Sequence, residues 1–308
     1  MKATELCYLS IAELAPLLAG RQLSPVELVT ALLERTEHLE PTLNSYITLL
    51  RDEALEAARQ TERELAAGEP KGPLHGIPIA LKDIIYTRGI RTTGGSKILA
   101  DFVPHHDATC WTRLREAGAI LMGKLNCHEF AWGATSVNPH YGDAHNPWDP
   151  SRITGGSSGG SGSAVASGEA VAALGTDTGG SIRMPGSLCG IVGLKPTYGR
   201  VSRFGVIPLS WSLDHIGPMC RTVEDCAIML QALAGHDPRD PGSRNEPVPD
   251  YRQALTGDIA GLRIGVPREF FYDGLHPEVE QAVRQALKAL EGLGARLEEV
   301  STPWASQT

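Results

Sequence analysis

Three features of the 308-residue sequence predict an α/β fold. Short apolar runs alternate with amphipathic segments of helical period, the pattern of a sheet layered with helices. Two of the runs, Gly76–Ile85 and Ala119–Gly123, are apolar at successive positions, as in strands buried on both faces. The length and the 42 % hydrophobic and 21 % charged composition suit one large globular domain with a sizeable core.

The elements follow in order. Ser10-Ile11-Ala12-Glu13 has the form of a capping box and opens a first helix. Ser24-Pro25-Val26-Glu27 repeats the form with proline at the first helical position, and Val26, Leu28, Val29, Leu32, Leu33 and Thr36 follow at helical spacing. A third helix, rich in Ala, Glu and Arg, runs from about Arg51 to Ala67 and ends at Gly68-Glu69-Pro70. These three form an outer layer over a sheet. Helices are further expected over 108–117, 222–234 and 277–293, and strands over 119–123, 170–174, 262–266 and 295–300. The chain is read as a single domain, 1–308. It has an N-terminal helical layer (1–67), a core (72–235) and the start of a C-terminal part (236–308). The last residues, STPWASQT, come straight after a strand. A sheet would continue there, so part of the domain is expected to be missing.

Charge and cysteine usage exclude several classes. Twenty-eight Lys and Arg against 36 Asp and Glu give a net charge of −8, which argues against direct nucleic-acid binding. The six cysteines form no CxxC pair and read as reduced thiols in a cytoplasmic protein. Glu5 and Glu13 interrupt any signal-peptide core, and no apolar run approaches the ~18 residues of a membrane span.

The chemistry concentrates in TDTGGSIRMPGS, residues 176–187. Asp177-Thr178-Gly179 has the form of an aspartic-protease half-site, but such a site needs two aspartates sharing a proton, and the motif occurs once. Asp177 therefore reads as a structural carboxylate, with Arg183 as its candidate partner. The stretch TGGSSGGSGSAVASG, 154–168, is either a flexible linker or a loop of close backbone approach. Within it, Gly155-Gly156-Ser157-Ser158-Gly159 fits G-x-S-x-G, with His215 or His236 as base, although Asn146–Pro150 makes a poor preceding strand. His128-Glu129-Phe130-Ala131-Trp132 has Trp132 where H-E-x-x-H needs histidine, and His105-His106-Asp107 has no evident third ligand, so no metal is expected.

Lys82 lies among Ile79, Ala80, Leu81, Ile84 and Ile85. Burial would lower its pKa and make a neutral amine available as a base, which a serine needs to attack a carbonyl. Ser181 follows Thr178-Gly179-Gly180, whose backbone N–H groups could converge as an oxyanion hole. A base, a nucleophile and an anion hole are the parts of an acyl-transfer site.

With these residues in view, the chain resembles the amidase signature family. The run GGSSGGSGSAVASGEAVAALGTDTGGSIRMPGSLCGIVGLKPTYGRVS, 155–202, is similar to that family's signature, and GIPIALKD, 76–83, to its lysine motif. GKLNCHEFAWGATSVNPHYGDAHNPWDP and PLSWSLDHIGPMCRTVED also resemble the family, and the likeness runs over about residues 5–300. It implies a central, mixed, twisted β-sheet flanked by helices, and hydrolysis of a carboxylic amide through a serine acyl-enzyme. Carried over by motif, it implies Ser181 as nucleophile, Ser157 as a bridging serine after a cis peptide bond, and Lys82 as base. It further implies an oxyanion hole of the Thr178, Gly179, Gly180 and Ser181 N–H groups. Ser158, Asp177 and Arg183 become pocket or scaffold residues. The implied substrate is a small-molecule amide, with no cofactor, metal, nucleic acid or membrane.

Two departures stand out. Gly186 replaces the family's more frequent alanine, an expected loosening of the pocket wall, and family members extend well beyond residue 308. The resemblance leaves two enzymes open. One is a free-standing amidase acting on small or aryl amides, which GVIPLSWSLDHIGP favours, with a homodimer as one expected state. The other is the A subunit of an aminoacyl-tRNA amidotransferase, a glutaminase that supplies ammonia to partner subunits. A third expectation is an inactive, truncated remnant with an exposed strand edge.

Overall fold

The computed structural model describes residues 2–307. Two compact units divide the chain, one ending at Arg252 and the other beginning at Gln253. In the first, α1 (Ala3–Leu6), α2 (Ile11–Ala19), α3 (Pro25–Leu43) and α4 (Arg51–Ala66) form the helical layer. The capping box of α2 is made in both directions: Glu13 N donates to Ser10 Oγ at 3.2 Å, and Ser10 N donates to Glu13 Oε2 at 2.8 Å. At α3 only half of it forms. Ser24 Oγ accepts from Val26 N at 3.0 Å, while its own hydrogen goes to Glu62 on α4. The apolar stripe foreseen on α3 is its buried face.

A six-stranded sheet takes the order β1-β3-β2-β6-β8-β7. Its strands are β1 (Tyr46–Leu49), β2 (Pro78–Lys82), β3 (Ile120–Leu125), β6 (Ala172–Asp177), β7 (Val192–Gly193) and β8 (His215–Cys220). β3, β2 and β6 are parallel, and β1, β8 and β7 add antiparallel pairs, so the sheet is mixed. Every residue of β2, β3 and β6 is buried, which is why their sequences carry no alternation. β6 continues past the expected end at residue 174 as far as Asp177. α5 (Thr109–Glu116), α6 (Gly159–Ser167), α7 (Arg183–Cys189) and α8 (Val223–Leu233) complete this unit, with a small hairpin of β4 (His145–Asn146) and β5 (Asp149–Ile153). All six cysteines are buried and unpaired. No helix among the described residues is long and apolar enough to cross a membrane.

The glycine-serine stretch is no linker: residues 154–158 form a buried loop and residues 159–167 form helix α6, eight of whose nine residues are buried. Glycine is needed in its first turn because backbone presses on it. A Cβ on Gly160 would stand 2.4 Å from Ser45 O and 2.6 Å from Asn126 N and O.

In the second unit, β9 (Arg263–Pro267) and β10 (Arg296–Val300) pair in parallel, joined through α9 (Pro277–Gly292). The sequence expectation for these three elements is met to within a residue or two.

Because the obstacles around Gly160 are backbone atoms, Gly160→Ala is expected to destabilise the fold by about 3 kcal/mol through overpacking. Urea unfolding of the variant against the parent measures it.

Candidate active site

β2 ends at Lys82 and the neighbouring parallel strand β6 ends at Asp177, so the topology delivers Lys82 and the 178–182 turn to the same edge of the sheet. The GGSSGG loop meets them there. Its Gly156–Ser157 peptide bond is cis. Ser157 O accepts from His128 N at 3.1 Å, and Ser158 N donates to Ser181 O at 3.3 Å. Ser158 Oγ donates to Thr176 O and accepts from Thr176 N, each at 3.2 Å. Ser158 thus stitches this loop to β6.

Lys82 Nζ donates to Ser157 Oγ at 2.6 Å and to Thr176 Oγ1 at 2.8 Å. Burial lowers the Lys82 ammonium to about 8, against an ordinary value of 10.5. Lys82 and Ser157 are wholly buried, whereas Ser181 keeps 7 % of its surface. The burial of Ser157 speaks against it as the nucleophile of a G-x-S-x-G elbow. The bases considered for that elbow are elsewhere engaged. His215 Nδ1 donates to Leu213 O at 2.6 Å while its Nε2 faces Lys195 Nζ at 3.3 Å, and His236 is exposed.

Asp177 is spent on structure. Its Oδ1 accepts from Gly180 N at 2.8 Å and from Arg183 Nη2 at 3.0 Å. Its Oδ2 accepts from Ile182 N at 3.1 Å, Arg183 N at 3.3 Å and Arg183 Nε at 3.0 Å. Burial alone would raise this carboxyl; Arg183 and the amides outweigh burial and hold it below the usual aspartate range. The same network engages one of the four amides expected in the oxyanion hole. Gly180 N–H is turned toward Asp177, and only the Thr178, Gly179 and Ser181 amides form no hydrogen bond among the described residues. The φ of +131° at Gly180 is what lets the turn do this, in a region open to glycine.

An apolar cavity of about 480 Å³ reaches the site at Thr176 and Thr178. Ile84, Phe204, Val206, Ile207, Leu209 and Ile216 are on its wall; Lys82, Ser157 and Ser181 are not. Gly186 does not line it either. A Cβ there would sit 3.0 Å from Gly193 N, so the glycine admits β7 rather than loosening the pocket.

Three participants escaped the sequence reading. Thr176 was hidden by the louder DTGGS beside it. Lys124, in ILMGKLN, carries the same signal as Lys82, a lysine in an apolar strand. It too is wholly buried, but its Nζ faces Asp83 Oδ1 at 3.2 Å and donates to Ile85 O at 2.8 Å and Thr92 Oγ1 at 2.6 Å. Asp214 had no local signal; its Oδ1 accepts from Thr178 Oγ1 at 2.5 Å. No group of three or more His, Cys, Asp or Glu among the described residues could hold a metal ion.

The Amidase family model matches residues 27–307. The A subunit of the Moorella thermoacetica glutamyl-tRNA(Gln) amidotransferase is 52 % identical over 299 residues, covering 97 % of this chain and 61 % of that protein. Among solved structures, native peptide amidase from Stenotrophomonas maltophilia matches with a TM-score of 0.90 at 38 % identity, over 97 % of this chain and 63 % of that one. The A subunit of the Thermotoga maritima glutamyl-tRNA(Gln) amidotransferase matches at 0.82 and 37 %, over 99 % and 62 %. The chain therefore spans about three-fifths of the length of these relatives.

The two buried lysines are expected to respond oppositely to removal. Lys124→Met leaves Asp83 buried without its cation and should cost about 3–5 kcal/mol. Lys82 binds a proton more weakly folded than unfolded, so its site lowers stability below pH 8 by about 3 kcal/mol, regained as pH rises toward the unfolded value. Lys82→Met should accordingly be at least as stable as the parent at pH 7, with a flatter stability curve between pH 8 and 10. Denaturant melts across that range read both.

Proposed function

The chain belongs to the amidase family, and from that premise we propose that it hydrolyses a carboxylic amide to a carboxylate and ammonia or an amine, through an acyl-enzyme on Ser181. The observation that carries the reading is the 2.6 Å contact between Lys82 Nζ and Ser157 Oγ, both of them wholly buried. A lysine with a pKa of about 8 is partly neutral near neutrality, and the neutral amine accepts a proton.

In the proposed reaction Ser157 O–H donates to neutral Lys82 Nζ, while Ser157 Oγ takes the proton of Ser181. Ser181 Oγ attacks the amide carbonyl, whose oxygen becomes an anion held by the Thr178, Gly179 and Ser181 amides. The tetrahedral adduct collapses with cleavage of the C–N bond. The proton returns from Lys82 through Ser157 to the leaving nitrogen, which departs as ammonia or amine. Water then attacks the acyl-Ser181 ester by the same relay, giving the carboxylate and free serine. Every group used belongs to the chain, so the reading calls for no cofactor.

Two substrate classes remain within the proposal. The 52 % identity to the Moorella protein favours glutamine, with the ammonia passed to partner subunits. The peptide amidase neighbour and the apolar cavity favour a free-standing enzyme on uncharged small amides. Ammonia release from L-glutamine, set against amine release from an aryl acetamide, separates them.

A fluorophosphonate should modify Ser181, located by peptide mass spectrometry, and Ser181→Ala should abolish the adduct. Lys82→Ala should slow labelling by about 10²–10⁴-fold, the range for loss of a general base. In the parent the rate should rise with pH through a midpoint near 8, as the lysine loses its proton. Lys82→Ala labelled at the parent rate would refute the assignment of the base.

A further inference from the structure

Asp214 lies outside the acyl-transfer relay and outside the anion hole, yet it joins two parts of the site. Its Oδ1 accepts from Thr178 Oγ1 at 2.5 Å, on the residue that begins the oxyanion turn. Its two oxygens also accept from Leu209 N at 2.8 Å and Ser210 N at 3.0 Å. Leu209 and Trp211 line the apolar cavity, and so do Thr178 and Asp214. The far end of this loop is fixed separately, where Tyr198 Oη donates to Trp211 O at 2.9 Å. One carboxylate therefore spans the turn that would polarise the carbonyl and the wall against which the rest of a substrate would lie.

We propose that Asp214 is a positioning residue that ties the oxyanion turn to the cavity wall, so that a group seated in the cavity and the amide hydrogens of the turn keep one fixed register. This rests on the reading of Ser181 as nucleophile. An amide donor aimed at an oxyanion contributes only when held in place, because the anion's position is set by the substrate as a whole. Thr178 has no other side-chain tether among the described residues. Without Asp214 the turn keeps its Asp177 contacts at Gly180, Ile182 and Arg183, and Thr178 loses its own.

The charge on Asp214 supplies a readout that mere stabilisation would not. The titratable groups acting on Lys82 are Cys127 just past β3, Asp177 at the end of β6 and Asp214 before β8, with His128 on the loop after β3. Around Asp214 itself stand His215, which bears Lys195 on its ring, and the Arg203–Asp240 pair of the cavity wall. Asp214 favours the ammonium form of Lys82. Removing its charge should move the acidic limb of the labelling profile to lower pH.

The test measures fluorophosphonate labelling of the full chain at Ser181, as a limiting rate, a half-saturating concentration and a pH midpoint. Thr178→Val breaks the tether and keeps both charges. It should lower the limiting rate by about tenfold or more, a loss of the kind small misplacements cause, with half-saturation within about twofold and the midpoint unmoved. Asp214→Asn should show the same loss with a lower midpoint, and Asp214→Glu should restore the midpoint. If both Thr178→Val and Asp214→Asn label at the parent rate, or lose only thermal stability, the proposal is overturned. If Asp214→Asn does not fold, the rate of Thr178→Val decides alone. If the parent is not labelled at Ser181, the reading of the nucleophile fails and the tether falls with it.

Discussion

The site depends on taking one amine out of water. A lysine ammonium is a poor base at neutral pH, and only desolvation brings its pKa down to about 8. Desolvation demands that nothing polar but its own partners come near Nζ, and the structure supplies two hydroxyls, Ser157 and Thr176. To close around the amine, the chain must bring loop backbone within touching distance of strand ends. A Cβ at Gly156, Gly159 or Gly160 would meet other atoms at under 3 Å. These glycines are therefore a packing requirement, and helix α6 forms because tertiary contact outweighs the poor helix propensity of its glycines and serines.

Lys124 shows that burial alone does not make a base. It occupies the adjacent strand, one register step from Lys82, and is equally shut from water. Burial lowers its ammonium too, but Asp83 opposes that shift at 3.2 Å, and a carbonyl and a hydroxyl take its hydrogens. Its partners favour a cation; the partners in hydrogen-bond reach of Lys82 are neutral. The difference between the two lysines lies in what stands within about 3 Å of Nζ, a distance no strand pattern encodes.

This sets how far sequence could go. The alternation of helices and strands was legible, because caps and apolar runs are local, and so were the candidate residues in the glycine-rich motifs. The identity of β2, β3 and β6 as adjacent parallel strands was not, since pairing is non-local. For the same reason Thr176, Lys124 and Asp214 passed unnoticed: each acquires its role from a partner between 32 and 94 positions away. The direction of the Gly180 N–H was not legible either, since it depends on φ, which only the folded turn reveals.

Asp177 illustrates how a charge can serve a site while staying out of its chemistry. A carboxylate buried like that of Asp177 is costly unless it is paired and hydrogen-bonded. Arg183 answers it with two hydrogen bonds of 3.0 Å, a fork-like pairing that leaves the local pair near neutral. What remains of the aspartate is its geometry. It gathers the amides of Gly180, Ile182 and Arg183 inward, and a turn pinned at those three points has few ways to direct the other three. The amides of Thr178, Gly179 and Ser181, which form no hydrogen bond among the described residues, belong to that pinned turn. A strong acceptor behind the turn fixes its backbone, and Arg183 neutralises that acceptor from outside.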